Sequence, residues 1–334
     1  MSWSNPGDIL SFHRFLLRDT GERLKAYERA IRRAVRPGSV VLDLGAGTGI
    51  MAFLACQAGA RRVYAVEVGD VAEFAKLLMR ANGVSDRVSV LQGFSPELEL
   101  PEQVDVIVAD IFGTFGMQSG GLTSLLDARE RMLKPGGTML PEAIDLFIAP
   151  VEAAEFYHDT IDFWGGRVAG MDLSALRPSA VNTQYPVRFE ERMLLGPPAC
   201  LAHVSLPEFM RPDIHGVATT PLVRGGLLHG LCGWFAARFG DDIVLTNAPA
   251  TGTTNYAQTF LPIEQPVGVE RGGEVNVALD HLDGEILRWR VDVLPRSRGE
   301  DPDAEPRHFD HSTFLGAPLS LEGLRKPPQP APGP

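Results

Sequence analysis

The chain has 334 residues, of which 44% are hydrophobic, 22% charged and 8% aromatic. This globular composition excludes a disordered, collagen-like or coiled-coil chain for most of the length. The net charge of −11 gives no electrostatic support for nucleic-acid binding. The three cysteines form no Cys-x-x-Cys pair, so the sequence predicts neither a disulfide framework nor a zinc site.

Length and hydropathy also bear on organisation and location. At roughly 150 residues per domain, the length predicts two domains. The first fifteen residues lack the charged and then apolar run of a signal peptide. No stretch of about 18 apolar residues is present for a membrane span. We therefore expect a cytoplasmic protein without a membrane partner.

The first 140 residues alternate between two hydrophobic patterns. Predicted strands occupy residues 40–44, 63–67, 88–92, 104–110 and 138–140. Predicted helices occupy residues 19–35, 50–57, 71–82 and 122–133. Strands alternating with helices predict βαβ units, and therefore a parallel sheet with helices on both faces.

After Pro141 the helical periodicity thins and short alternating stretches follow. They cover residues 146–150, 200–205, 230–239, 258–261, 274–279 and 286–293. Turn residues separate them, which predicts an antiparallel sheet or barrel, with a more helical insert at 153–164. The predicted units are an N-terminal segment (1–38), a parallel-sheet domain (39–140), a β domain (141–324) and a disordered proline-rich tail (325–334).

The segment Val41–Gly49, VLDLGAGTG, joins the first predicted strand to a helix. Glycine there lets the backbone approach a ligand closely. Asp43 places a carboxylate at the end of this strand. Glu67 ends the second strand, where a carboxylate accepts hydrogen bonds from ribose hydroxyls. The pattern predicts a nucleoside cofactor, and its GxGxG spacing disfavours a dehydrogenase.

Four segments together resemble the class I S-adenosylmethionine-dependent methyltransferases: VLDLGAGTG, VYAVE, VDVIVADIFGTFG and LKPGGTMLP. With the later TTNYAQTFLP, their order and spacing are similar to those of the protein arginine methyltransferases, from about Phe12 to Val293. The resemblance implies an α/β fold: a Rossmann-like class I methyltransferase domain, then an antiparallel β-barrel-like domain. A helical dimerisation insert is expected at about 153–176.

The resemblance also implies a cofactor, S-adenosyl-L-methionine, and the residues that bind it. Asp43 would hold its methionine part and ribose together with three glycines, Gly45, Gly47 and Gly49. Glu67 would bind the ribose hydroxyls. Ser95 lies where the family's backbone binds adenine, although Pro96 replaces the glutamate that reads the adenine amino group.

The N-terminal part matches the family less well. Arg23 lies close to the family's arginine that pairs with the cofactor carboxylate, one residue further from Asp19 than usual. A solvated helix charge is an equally open interpretation of Arg23. The tyrosine-rich element that covers the cofactor is absent, and Trp3 or His13 would replace it in part.

The acceptor site departs from the family pattern. Two glutamates that clamp the substrate guanidinium are replaced by Asp110 and Ser119, and the Thr-His-Trp loop is Thr254-Asn255-Tyr256. A guanidinium is best held bidentately by carboxylates, so one shortened acid and one hydroxyl make a poor clamp for arginine. Asp110 would instead hold or deprotonate an amine, amidine or hydroxyl acceptor, with Ser119, Asn255 and Tyr256 shaping the pocket.

Three hypotheses follow for the function. The first is a methyltransferase with a non-standard acceptor, a small molecule methylated on nitrogen or oxygen and held by one acid. The alternative is a genuine arginine N-methyltransferase on protein or peptide that recruits another acid, Glu142 or Asp145. The third is a catalytically silent dimeric scaffold that retains the cofactor fold.

Two structural expectations come from the same resemblance. One is a cis peptide bond between Leu140 and Pro141. The other is a homodimer, in which the arm Phe156–Leu176 reaches the partner subunit, because Phe163, Trp164 and Met171 are large apolar side chains on a projecting segment.

The segment HFDH, His308–His311, has two histidines spaced three residues apart. Pro306 and the acidic run 300–305 favour an exposed loop. The sequence therefore predicts no metal site there.

Overall fold

A computed structural model describes residues 6–18, 21–116, 120–249, 254–282, 286–295 and 305–317. Up to Leu140, helices alternate with the strands of one parallel sheet; beyond Pro141 the sheets are antiparallel. The peptide bond between Leu140 and Pro141 is cis, which confirms the prediction. Trp3, Ser119 and the tail 325–334 lie outside the described residues.

The chain order of the elements is as follows. The helices are α1 (Pro6–Leu17), α2 (Glu22–Ala34), α3 (Ile50–Gln57), α4 (Val71–Ala81), α5 (Gly121–Asp127), α6 (Ala154–Thr160), α7 (Arg177–Val181) and α8 (Thr313–Gly316). The strands are β1 (Val40–Leu44), β2 (Arg62–Glu67), β3 (Val88–Gln92), β4 (Val104–Ala109), β5 (Leu133–Leu140), β6 (Ala143–Val151), β7 (Arg167–Val168), β8 (Met171–Asp172), β9 (Tyr185–Val187), β10 (Ala199–Ser205), β11 (Ile214–Pro221), β12 (Gly226–Arg238), β13 (Val244–Thr246), β14 (Gln258–Val269), β15 (Glu274–Leu282), β16 (Ile286–Leu294) and β17 (Arg307–Ser312).

The parallel sheet has the strand order β3-β2-β1-β4-β5. Strand β1 is buried at every position, as expected for a central parallel strand covered on both faces. The predicted parallel sheet is therefore confirmed. The strand order reverses between β1 and β4, and open α/β sheets bind ligands beyond the carboxyl ends of the strands at such a point.

The antiparallel strands form two sheets. The larger follows the path β10-β6-β12-β14-β9 with β13 paired to β12, and the smaller has the order β11-β15-β16-β17. Strands β10 and β11 contact each other and so bring the two sheets together. Along β11 and β15, buried residues alternate with less buried ones, because one face of the sheet covers a core.

Helix α1 is absent from the sequence-based prediction. Ile9 is its one buried residue, whereas Leu10, Phe12 and Phe15 are 57%, 44% and 49% exposed. The apolar residues therefore do not mark a single buried face, and the helical periodicity that sequence reasoning uses is weak. No helix within the described ranges is long and apolar enough to cross a membrane.

The predicted exposed loop around His308–His311 is wrong, because these residues lie in the edge strand β17. His308 is exposed and hydrogen-bonds with Asp292, while His311 is buried against Trp289. Residues three apart on a strand point to opposite faces. The two imidazoles are therefore kept apart.

The arm at 153–176 is only partly helical. It consists of α6, a 3₁₀ turn at Asp162–Gly165, a hairpin of β7 and β8, and a second 3₁₀ turn at Ser174–Leu176. The predicted helix at 122–133 is also shorter, since α5 ends at Asp127 and continues as a π turn.

Candidate active site

Three carboxylates lie at the carboxyl ends of neighbouring strands. Asp43 lies near the end of β1, Glu67 ends β2, and Asp110 directly follows β4. Strand β1 pairs in parallel with both β2 and β4, so the three side chains reach one edge of the sheet. This edge is the point where the strand order reverses.

The glycine loop is determined first by the packing of the chain itself. Its three glycines all have positive φ, which glycine tolerates without strain: Gly45, Gly47 and Gly49. A Cβ on Gly45 would lie 2.3 Å from Cγ2 of Ile111, the residue after Asp110. At Gly47 the nearest atom is Cε1 of His13, 3.1 Å from such a Cβ. Helix α1 therefore lies over the loop.

Glu67 has the hydrogen-bonding capacity that a ribose needs. Its Oε2 accepts from the backbone N–H of Gly47 at 2.8 Å, and its Oε1 accepts from that of Gly69 at 2.7 Å. Each carboxylate oxygen has a second lone pair. Glu67 is thus oriented by the loop and can still accept bonds from two hydroxyl groups.

Asp43 is buried and has one internal hydrogen bond, from the backbone N–H of Ala52 to its Oδ2 at 2.8 Å. Burial, together with the charges of Glu67 and Asp110, raises the pKa of Asp43 to about 7, although the hydrogen bond from Ala52 opposes this shift. The edge of the sheet thus carries more negative than positive charge. A cationic ligand would favour the ionised form of Asp43.

Asp110 is the centre of a buried polar cluster. Its Oδ2 accepts from Nε of Arg23 at 2.6 Å and also from Nη2. Its Oδ1 accepts from the hydroxyl of Tyr256 and lies 3.2 Å from the hydroxyl of Tyr27, which also donates to the carbonyl of Ala109 at 2.6 Å. The side chains of Arg23 and Asp110 are 9% and 7% exposed. Arg23 is therefore a buried ion-pair partner, and its interpretation as a solvated helix charge is wrong.

The electrostatics of this cluster keep both tyrosines protonated. Burial, followed by the charge of Asp110, raises the pKa of Tyr256 and of Tyr27 well above the usual range. Burial lowers the pKa of Arg23, but its charged and polar neighbours outweigh burial, and the pKa is raised. Asp110 makes the largest contribution among these neighbours. The cluster therefore contains one carboxylate, one guanidinium and two hydroxyl donors at neutral pH.

Asn255 connects the acceptor side of the site to helix α1. Its Nδ2 donates to the carbonyl of Phe15 in α1. Nη2 of Arg188 donates to the carbonyls of Thr254 and Asn255, at 3.1 and 2.8 Å. Helix α1 is held in this way above the glycine loop. It therefore lies where an element that covers the cofactor is expected, although the tyrosine-rich pattern of that element is absent from the sequence.

Other predicted residues lie elsewhere. Ser95 is 2% exposed, and its hydroxyl has no hydrogen-bond partner within the described residues. Asp145 pairs with His203 and Arg238, so it does not supply a second acid beside Asp110. Glu142 is exposed, and its charge contributes to raising the pKa of Arg33. Both acids suggested by the sequence as replacements are therefore excluded from this cluster.

Tyr27 is a residue of the site that was not assigned a role there from the sequence. Tyr27 follows Arg23 by four residues in α2 and therefore shares its helical face; this spacing was the signal available. His13 was considered only as a partial cover. Burial lowers the pKa of His13. The charge of Glu67 raises this pKa, and the charge of Arg23 lowers it.

The fold and the site define a class I S-adenosylmethionine-dependent methyltransferase with a C-terminal β domain. Residues 20–143 match the family model described as ribosomal protein L11 methyltransferase (PrmA). Residues 142–293 match the model described as the arginine methyltransferase oligomerization subdomain. The two matches meet next to the cis bond at Pro141.

The chain belongs to the protein arginine methyltransferase family. It is 34% identical over 310 residues to protein arginine N-methyltransferase 6 of Xenopus laevis, covering 86% of each chain. It is 29% identical to probable protein arginine N-methyltransferase 6 of Arabidopsis thaliana, covering 78% of this chain and 70% of the relative.

Solved structures agree on the fold. The Trypanosoma brucei PRMT1 enzyme–prozyme heterotetrameric complex with AdoHcy matches with a TM-score of 0.80 at 22% identity, covering 91% of this chain and 98% of that one. Protein arginine methyltransferase 10 of Arabidopsis thaliana, in an open conformation, matches with a TM-score of 0.75 at 25% identity over the same shares.

The residues present fit the cofactor of this family, S-adenosylmethionine. Glu67 has lone pairs for a ribose, and the excess negative charge around Asp43 suits the sulfonium and ammonium groups. Ser95, whose buried hydroxyl has no hydrogen-bond partner within the described residues, follows β3, the strand next to β2. Arg23, to which the resemblance assigns the cofactor carboxylate, is paired with Asp110 in this structure.

Proposed function

We propose that this protein is an arginine N-methyltransferase that acts on arginine side chains of a protein or peptide. One observation carries the proposal: Asp110 already binds a guanidinium, that of Arg23, through Nε and Nη2 on a single oxygen. The sequence-based argument for a small, non-arginine acceptor assumed that this shortened acid was a poor partner for a guanidinium. The contact with Arg23 supports the opposite assumption, that Asp110 can hold a guanidinium.

The names of the relatives support the same choice. The Xenopus and Arabidopsis proteins are both called arginine N-methyltransferases. The expectation of a small-molecule acceptor has no comparable support. We therefore favour the second of the three hypotheses, without the recruited acid that it included.

The chain's own residues would perform three tasks. Asp110 binds the acceptor guanidinium on Oδ2 and orients one nitrogen, while the hydroxyl of Tyr256 fixes Oδ1. Helix α1, tied to Asn255, excludes water from the site. Orientation of this kind accounts for a large part of the rate of a bimolecular displacement.

The cofactor supplies an electrophilic methyl group on its sulfonium. The acceptor nitrogen forms the new N–C bond as the C–S bond breaks, and the electron pair of that bond stays on sulfur. The nitrogen loses one proton to Asp110, so the methylated guanidinium keeps its single positive charge.

The test is to incubate the full chain with methyl-labelled S-adenosylmethionine and a peptide of glycine–arginine repeats. We expect label in methylarginine after acid hydrolysis. A peptide with lysine at each arginine position is the matched control and should stay unlabelled. Label that appears only in small molecules of a cell extract, or no label in any acceptor, would contradict the proposal.

We further propose that the protein is a homodimer through its arm. The second family model describes an oligomerization subdomain, and the arm exposes Phe163, Met171 and Leu176 to 48%, 65% and 48%. Light scattering should show a dimer at micromolar concentration and a monomer for Met171→Asp. Met210→Asp is the control, because Met210 is 74% exposed outside the arm.

A further inference from the structure

The arm is joined to the large antiparallel sheet near both of its ends. In α6, the hydroxyl of Tyr157 lies 2.8 Å from the carbonyl oxygens of Ile263 and Glu264 in β14, to which it can donate its proton. Just beyond the end of the arm, Nη2 of Arg177 donates to the same carbonyl of Glu264 at 2.9 Å. A small group of hydrogen bonds therefore holds the arm to the sheet.

One further contact at the start of the arm depends on protonation. His229 lies in β12 and is 3% exposed, and its Nδ1 accepts a hydrogen bond from the backbone N–H of Ala153 at 3.2 Å. Ala153 directly precedes α6, so this bond fixes the point at which the arm leaves the sheet. The imidazole also packs against the ring of Tyr157, with the ring centroids 5.4 Å apart. Because Nδ1 can accept only while it carries no proton, the contact requires a neutral imidazole.

The charges around this ring give a protonated imidazole little support. Two carboxylates act on it, that of Glu152, which directly follows β6, and that of Asp162 in the arm. Each already has an arginine partner: Arg224 lies 2.7 Å from Glu152, and Arg177 lies 3.5 Å from Asp162. Burial outweighs both carboxylates and lowers the pKa of His229.

We propose that His229 acts as a pH switch for the arm, which it attaches to the β domain only while its ring is neutral. When a proton from solvent binds Nδ1, the new N–H faces the N–H of Ala153 and the hydrogen bond is lost. A buried cation without a partner is unfavourable, so the start of α6 is released from β12. Because the arm carries the proposed dimer interface, acid should weaken the dimer. This consequence rests on the proposed homodimer.

The direction of the effect follows from proton linkage. The pKa of His229 is lower in the folded protein than its ordinary value of 6.5, and it returns towards that value when the released ring reaches water. Release of the arm therefore takes up protons below about pH 6.5, and the free energy that holds the arm falls as the pH decreases. Well above this pH the ring is neutral in both states, and the effect disappears.

The experiment follows the full chain from about pH 7.5 to about pH 5.5 by two measurements. Analytical ultracentrifugation gives the dissociation constant of the dimer. Hydrogen exchange of the α6 amides, corrected for the intrinsic exchange rate at each pH, reports release of the arm directly. We expect the dissociation constant to rise at least about tenfold over this range, and exchange in α6 to become faster by a similar factor.

His229→Gln removes the titration but keeps an amide oxygen that can accept from Ala153. In this variant both quantities should change by less than about twofold over the same range. His311→Gln is the matched control. His311 is also buried, and burial lowers its pKa as well, but it lies in β17 outside the arm. The control should keep the full pH dependence of the dimer.

Three outcomes distinguish the failures. If the wild-type dimer and its α6 exchange do not change with pH, the switch is overturned, while the homodimer and the arginine acceptor stand; this holds even where His229→Gln does not fold. If His229→Gln keeps the full pH dependence, another group is responsible and the switch is likewise overturned. If the chain is monomeric at pH 7.5, the homodimer is overturned, and exchange in α6 decides the switch by itself.

Discussion

The two halves of the site are built by different means. The cofactor half depends on the backbone: the glycine loop curves at the end of β1, and the N–H groups of Gly47 and Gly69 orient Glu67. The acceptor half depends on side chains from α2, the end of β4 and the loop before β14, joined at Asp110. The cofactor half, made from two neighbouring strand ends, keeps its family pattern, whereas the acceptor half, made from segments far apart in the chain, has changed partners.

The largest expected effect is on methyl transfer, and it tests whether the acceptor half can be disabled without loss of cofactor binding. Asp110→Ala should lower methyl transfer to an arginine peptide by at least about a hundredfold, because it removes a buried, hydrogen-bonded charge. Binding of S-adenosylhomocysteine, measured by calorimetry, should stay equal or become tighter, since Arg23 loses its internal partner. Asp242→Ala, which removes a carboxylate from an exposed ion pair, is the control. Loss of cofactor binding in Asp110→Ala would show that the halves are one unit.

Gly45→Ala examines a position where the glycine loop of the cofactor half packs beside the acceptor half. Its Cβ would collide with Ile111, next to Asp110, and φ at Gly45 is +73°. We expect the free energy of unfolding to fall by about 2–5 kcal/mol, from strain and overpacking. Urea denaturation measures this change. Gly38→Ala is the matched control, because φ is +92° there but nothing lies within 4 Å, and it should cost only about 1–2 kcal/mol. Equal losses of unfolding free energy in the two variants would show that Ile111 does not exclude a side chain at Gly45.

A smaller effect concerns pH and belongs to the cofactor half. The pKa of Asp43 is about 7 in the free protein, and a cationic ligand should lower it. S-adenosylhomocysteine carries an ammonium group, so its binding should release a fraction of a proton near pH 7. Its affinity should therefore rise as the pH increases from about 6 to 8. Calorimetry in buffers of different ionisation enthalpy measures the release. Asp43→Asn should abolish most of it, and unchanged release would assign the proton to another group.

The smallest effect concerns the connection between the halves through α1. Asn255→Ala removes the hydrogen bond to the carbonyl of Phe15, which is worth about 0.5–1.5 kcal/mol. Cofactor affinity should weaken by about two- to tenfold, and hydrogen exchange in α1 should become faster. Asn82→Ala removes a comparable bond at the exposed C-terminal end of helix α4 and should change neither quantity. If the two variants behave alike, α1 is not held by the acceptor loop.

The elements of the parallel sheet could be predicted closely, because their signals are local. The predicted bounds 40–44, 50–57 and 88–92 agree with β1, α3 and β3. Among the elements that were missed, α1 and β11 depend on partners distant in the chain. Helix α1 packs on the glycine loop, and β11 pairs with β15.

The sequence by itself determined the parallel-sheet domain, the glycine loop and the positions of Asp43, Glu67 and Asp110. Strand ends and glycine spacing act within a few residues, so a linear pattern is sufficient. Only the tertiary structure decided what Asp110 binds. Arg23 lies 87 positions before it and Tyr256 lies 146 after it, and no local pattern encodes a contact across such separations. The length of one side chain therefore suggested a weak guanidinium site, where the folded chain places a guanidinium on that very carboxylate.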